Sequence, residues 1–145
     1  MELEDLLRQY DYTTKFILQK APRGSYENSS ERERKVLIEK GISYYEIINY
    51  ISQSKCIVEL QEPGQTGLTL RAMEALFFQK KLFTDNMEVM KCDFYRQENI
   101  FVWGHDEESR LADFLRVPYQ KVSEEIVNQY TWEAWLDRFF VMARK

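Results

Sequence analysis

Two glycines, Gly64 and Gly67, punctuate the segment Gln61-Glu62-Pro63-Gly64-Gln65-Thr66-Gly67, directly after an apolar run, and a carboxylate, Glu74, follows. Glycines at such a turn let a backbone approach a ligand closely. The free amides at the start of a following helix carry partial positive charge suited to phosphate. On a helix, Arg71 and Glu74 fall near the face that also carries Gly67. A carboxylate there has the acceptors for a ribose diol. It also has a use that needs no ligand, an intrahelical ion pair with Arg71 worth about 0.3 kcal/mol. Spacing alone favours the ion pair.

The hydrophobic pattern supplies the elements that must hold these residues. Leu3, Leu6, Leu7 and Tyr10 recur at helical spacing, and Lys15 to Gln19 is a short apolar strand. Residues 21–34 carry Pro, Gly, Ser and charge and read as a mobile surface loop, followed by a second strand at Val36-Leu37-Ile38. Ser43 with Glu46 is a capping-box pattern that opens a helix over 44–53, with Tyr44, Ile47, Ile48 and Ile51 as its stripe. Lys55 to Leu60 is the third strand, a helix follows at about 68–79, and Leu82 to Thr84 is the fourth. Ile100 to Trp103 is the fifth; a helix with Leu111, Phe114 and Leu115 on one face then stops near Pro118. Two helices finish the chain. In the last, Trp132, Trp135, Leu136, Phe139 and Phe140 make one apolar face, expected to pack on the chain's own core.

Strands alternating with helices predict an α/β fold, a Rossmann-like parallel sheet of about five strands flanked by helices. Ligands of such sheets sit beyond the carboxyl ends of the strands, which singles out the 61–67 turn.

Composition sets outer limits. A chain of 145 residues with 44% hydrophobic content fits a single domain over 1–145. Twenty basic against 24 acidic residues, net charge -4, and no basic stripe argue against a nucleic-acid partner. The N-terminus lacks the pattern of a secretory signal and no apolar run has the length of a bilayer span, so a cytoplasmic location is expected. Cys56 and Cys92 read as reduced thiols, Cys56 as a small core residue. His105 has no nucleophile or second metal ligand near it in sequence and reads as a surface or capping residue. With no Asp-x-Asp motif, neither an obligatory metal nor a resident cofactor is expected. A phosphate-receiver signalling domain would need acids at the end of an early strand, where this chain has Gln19-Lys20.

The stretch KCIVELQEPGQTGLTLRAMEALFFQKKLFTDN resembles the signature of GT-B glycosyltransferases: a strand, a Glu-Gly turn, a helix bearing a second Glu, then a basic turn and a strand. Glu74 matches the second glutamate and Gly67 the glycine after the first; the first glutamate's own position holds Thr66. Downstream, Glu98 to Asp106 resembles the family's Asn-Gly-Leu-Leu-Val strand and acidic helix start, and Tyr130-Thr131-Trp132 its Phe-Ser-Trp approach to the closing helix. The likeness covers roughly 36–142, and QTGLTLRAMEAL and CDFYRQENI look most like bacterial lipopolysaccharide-core or capsular polysaccharide biosynthesis proteins.

The resemblance implies the donor-binding half of a transferase moving sugar from a nucleotide diphosphate sugar to a glycan or lipid-linked acceptor. On it, Gly64, Gln65, Thr66, Gly67 and Leu68 line the diphosphate and sugar, Glu74 holds the ribose, and Arg71 is the catalytic candidate beside the departing diphosphate. Thr66 removes the usual sugar contact, for which Gln65 is the neighbouring substitute. The family's acceptor domain would precede Met1. The chain is therefore expected to be truncated on that side and inactive alone, its terminal aromatics open to self-association and the full enzyme to peripheral membrane contact. The competing expectation is a degenerate, non-catalytic nucleotide-binding or assembly module.

Overall fold

A computed structural model describes residues 2–19, 29–62 and 64–142. The chain falls into two compact units, 1–47 and 48–145.

The first unit holds helix α1 (Glu2–Arg8), strand β1 (Leu18–Gln19), helix α2 (Glu31–Val36) and strand β2 (Leu37–Ile38). Residues 31–34, expected in a loop, are helical because Ser30 and Glu33 close a capping box. The Glu33 amide donates to Ser30 Oγ at 3.3 Å, and the Ser30 amide donates to Glu33 Oε2 at 2.8 Å. Residues 21–28 of that expected loop lie outside the described residues. The helix runs on through Val36 and leaves only Leu37 and Ile38 to pair, in parallel, with Leu18 and Gln19. The Arg32 guanidinium grips both Asp5 oxygens, at 2.8 and 2.6 Å, and holds that carboxyl below its ordinary range. Leu7 is the buried apolar residue of this unit among the described ones, so polar clasps carry much of its cohesion.

Helix α3 (Tyr44–Gln53) starts at the expected Ser43–Glu46 box and spans the boundary between the units. Tyr44, expected in the packed stripe, is exposed, as is Tyr45 beside it, whereas Ile51 is buried.

The second unit is built on strands β3 (Cys56–Glu59), β4 (Lys81–Thr84) and β5 (Ile100–Val102), parallel and adjacent in the order β3-β4-β5. The fold is thus mixed α/β with a three-stranded parallel sheet flanked by helices, not a sheet of five: β1 and β2 form a separate pair two residues long. Helix α4 (Leu70–Phe77) joins β3 to β4, while a 3-10 turn at Met87–Lys91, not foreseen in the sequence, lies between β4 and β5. Helices α5 (Leu111–Arg116), α6 (Glu124–Asn128) and α7 (Trp132–Met142) follow.

Every residue of β4 and β5 is buried, as befits parallel strands covered on both faces. Phe83 stacks on Phe101 with centroids 5.3 Å apart, and Phe101 meets Phe114 of α5 at 5.6 Å. Ala72, Ala75 and Leu76 turn α4 toward this core. Lys81 lies in it too: its ammonium donates to the Phe114 carbonyl and sits 4.6 Å over the Phe114 ring, and burial holds its pKa below that of a free lysine. Asn99 pins the chain after α5 by two hydrogen bonds to the Gln120 backbone, its amide nitrogen donating to the Gln120 carbonyl and its oxygen accepting from the Gln120 amide, both at 2.7 Å.

The last helix departs from expectation. Trp132, Trp135 and Phe140 are 66%, 59% and 61% exposed, so its aromatic face does not pack on the chain's own core as the pattern suggested; the Phe139 side chain lies outside the described set.

Phe101 is fully buried between two rings, so Phe101→Ala is expected to cost about 3–5 kcal/mol, read from the urea midpoint at unchanged slope.

Candidate functional site

The aligned strands bring Glu59 of β3 opposite Thr84 of β4 at the carboxyl end of the sheet. From Glu59 the chain leaves into the turn and comes back at Thr69, the N-cap of α4, whose hydroxyl accepts from the Arg71 and Ala72 amides at 3.1 and 3.5 Å. Gly64 and Gly67 take φ of +87° and +81°, the left-handed region. A Cβ on either would meet no atom within 4 Å, so each is needed for its dihedral rather than for closeness to protein, and the space beside it is open.

Gln65 closes the turn on itself: its amide donates to the Glu62 carbonyl at 3.0 Å and its side-chain oxygen accepts from the Glu62 amide at 3.3 Å. Its side-chain oxygen is thus engaged within the turn. Thr66 and Leu68 are exposed, and Pro63 lies outside the described residues.

Beneath the turn runs a buried polar network that the sequence reading missed. Glu59, 4% exposed, accepts from the Thr69 hydroxyl at 2.5 Å through one oxygen and from the Thr84 hydroxyl at 3.0 Å through the other. The Asn86 amide donates to Thr84 Oγ at 3.0 Å, and the Asn86 side chain donates to the Gly67 carbonyl at 2.9 Å. Asp85 accepts from the Gln61 amide at 2.9 Å. The available signal was an acid inside the apolar run CIVEL and a threonine just ahead of the helical Leu-Arg-Ala, a plain N-cap pattern.

Glu74 lies on α4 and is 2% exposed. Its Oε2 pairs with the Arg71 guanidinium, whose side chain is about one-third exposed. Its Oε1 is the buried side-chain N or O atom without a hydrogen-bond partner among the described residues. A buried acceptor left unmet costs on the order of 1–3 kcal/mol, more when charged. The Arg71–Glu74 pair weighed in the sequence is therefore real, and it satisfies half the carboxylate.

Other reactive types are spoken for. Burial pushes the Cys56 thiol up to about 12 and raises Cys92 as well, so neither is a ready thiolate at neutral pH. His105 sits past the left-handed Gly104 (φ +82°), its Nδ1 3.4 Å from Asp106, on the rim of an open groove of about 470 Å³ that also includes Gln97 and Arg110. Asp106 caps the end of β5 by accepting from the Val102 amide at 2.7 Å and also pairs with Arg110. Among the described residues no group of three or more His, Cys, Asp and Glu is placed to hold a metal ion, and no helix is long and apolar enough to cross a membrane.

Comparison with protein-family models, with curated proteins and with solved structures finds no match to this chain.

Because the surroundings of Gly67 are open, Gly67→Ala isolates the dihedral cost. It is expected to lose about 1–2 kcal/mol in chemical denaturation, with Gly67→Asn losing less because asparagine tolerates the left-handed region.

Proposed function

We propose that the second unit is the nucleotide-sugar-binding part of a Rossmann-like glycosyltransferase of bacterial surface-polysaccharide biosynthesis, taking its donor at the 64–68 turn and the start of α4. The observation that carries the reading is the unmet Oε1 of Glu74, a buried carboxylate oxygen on the helix that leaves the glycine turn. A ribose hydroxyl supplies the donor that this oxygen lacks. Two further features support it: the turn lies past the carboxyl end of a parallel strand, and the sequence from 55 to 86 resembles the family signature.

As the side chain stands, no ligand reaches Oε1, so donor binding on this reading includes a rearrangement in which Arg71 lets go of Glu74. The exchange is chemically balanced. Arg71 turns to the diphosphate, and Glu74 turns from a guanidinium to a diol. In transfer, Arg71 and the backbone amides at 64–68 stabilise charge building on the departing diphosphate, while Thr66, a neutral hydroxyl, leaves sugar recognition to hydrogen bonding alone. The acceptor, a glycan or lipid-linked sugar, and any base acting on it belong to a further domain in this reading.

A second reading, a non-catalytic nucleotide-binding or assembly module, is favoured by the closed Arg71–Glu74 pair and the outward aromatics of α7.

Calorimetric titration with UDP, GDP and CMP sugars separates the two. The transferase reading expects saturable binding of one donor class that weakens about tenfold or more, about 1.4 kcal/mol, in Glu74→Ala. Absence of binding at millimolar donor favours the assembly role.

A further inference from the structure

Residues 64–68 are exposed and carry two left-handed glycines, yet Thr69, which follows them, bonds one buried side chain, Glu59, and Gly67 is joined to that same side chain through Asn86 and Thr84. We infer that Glu59 is the positioning residue of this turn: a carboxylate clamp under the sheet end that fixes Gly67 and the first turn of α4 before any ligand arrives. The consequence for ligand binding rests on the donor reading above; the clamp itself does not.

Lone pairs fix the direction of each bond to Glu59. Thr69 Oγ accepts two bonds, from the Arg71 and Ala72 amides, which uses both of its lone pairs and leaves its single hydrogen for Glu59 Oε1. Thr84 Oγ accepts from the Asn86 amide and gives its hydrogen to Glu59 Oε2. Both hydroxyls are therefore donors toward Glu59, and only a side chain with two acceptor oxygens serves them together. From Thr69 the constraint passes into α4; from Thr84 it passes through Asn86, whose side chain holds the Gly67 carbonyl at 2.9 Å and whose Oδ1 takes the Glu88 amide at 3.0 Å. Glu59, Thr84 and Asn86 are all nearly inaccessible, so water does not stand in for a lost partner.

The same count predicts an asymmetry. Glu59→Gln replaces one acceptor by an NH₂ donor. Thr69 Oγ has no lone pair left for it, whereas Thr84 Oγ has one, so the amide nitrogen faces Thr84 and the oxygen stays with Thr69. The Thr84 hydroxyl hydrogen then has no acceptor, and the arm to Gly67 loosens while the arm to α4 holds.

The test is ¹H–¹⁵N NMR on the full chain, wild type against Glu59→Gln, Thr84→Val, Thr69→Val and Thr69→Ser, with the Leu82 amide, which donates to the Asn99 carbonyl at 2.8 Å, as the control for an intact sheet. In Glu59→Gln and Thr84→Val, the Gly67 amide and the Asn86 side-chain NH₂ signals are expected to shift. Asn86 NH₂ exchange should speed up about tenfold or more, with Arg71 and Ala72 little changed. Thr69→Val is expected to do the reverse, and Thr69→Ser to restore the wild-type pattern. Unmoved Gly67 and Asn86 signals in both Glu59→Gln and Thr84→Val overturn the clamp. Titrating each variant with the UDP, GDP and CMP sugars reads the ligand arm. Weaker donor binding in the two loosened variants than in the wild type supports positioning, and equal affinity overturns it. Should the wild type bind none of the sugars while the turn responds as described, the donor reading fails alone and the clamp stands.

Discussion

A carboxylate buried without a cation beside it survives only where hydrogen-bond donors meet its oxygens, because the free energy of leaving water is several kcal/mol per ion. Glu59 meets that demand with two threonine hydroxyls, one from the strand beside it and one from the cap of the following helix. Much of the architecture around the sheet end follows from satisfying this group. The register of β3 on β4 sets Glu59 against Thr84, Thr69 has to return to the strand from which the turn departs, and α4 therefore begins at Leu70. The turn between them has a fixed span to cover, and its two left-handed glycines are how it does so.

Glu74 is the counterpart of Glu59 with the opposite balance. Both are buried, but Glu59 has both oxygens met, whereas Glu74 has one oxygen in an ion pair and one without a hydrogen-bond partner among the described residues. A satisfied acid is a structural element; a half-satisfied one stores free energy that another molecule can release. The contrast between these two carboxylates, on consecutive elements of one strand-turn-helix unit, is what separates scaffold from candidate ligand contact in this chain.

The sequence made the second unit legible in outline. The apolar runs at 56–59, 81–84 and 100–102 are strands, the Ser43–Glu46 box opens a helix, and α5 stops just ahead of Pro118 as proline chemistry requires. It was least legible where side chains answer to partners far away in the chain. The Ser30–Glu33 box turned the end of an expected loop into helix, and strands of two residues joined only each other instead of extending the main sheet. Gln79 adopts a left-handed φ of +52°, and α4 ends at Phe77, two residues short of the expected end near 79. At the candidate site the glycines and the Arg71–Glu74 spacing were visible, because turns and helices are local. The Glu59–Thr84–Asn86–Gly67 chain was not, since it joins residues whose proximity only the strand register creates. The aromatic stripe of α7 was read correctly as a stripe, but amphipathic spacing does not say what a face meets.

That stripe also decides how this molecule will look to light. Of three tryptophans, Trp132 and Trp135 stand in solvent on α7, and only Trp103 lies partly covered, its ring 5.5 Å from Phe83. Ultraviolet-excited emission from the native chain will come mostly from water-exposed indoles and will change little when the sheet melts. Anything that covers the last helix, in contrast, will shift the spectrum to the blue while the core stays as it was.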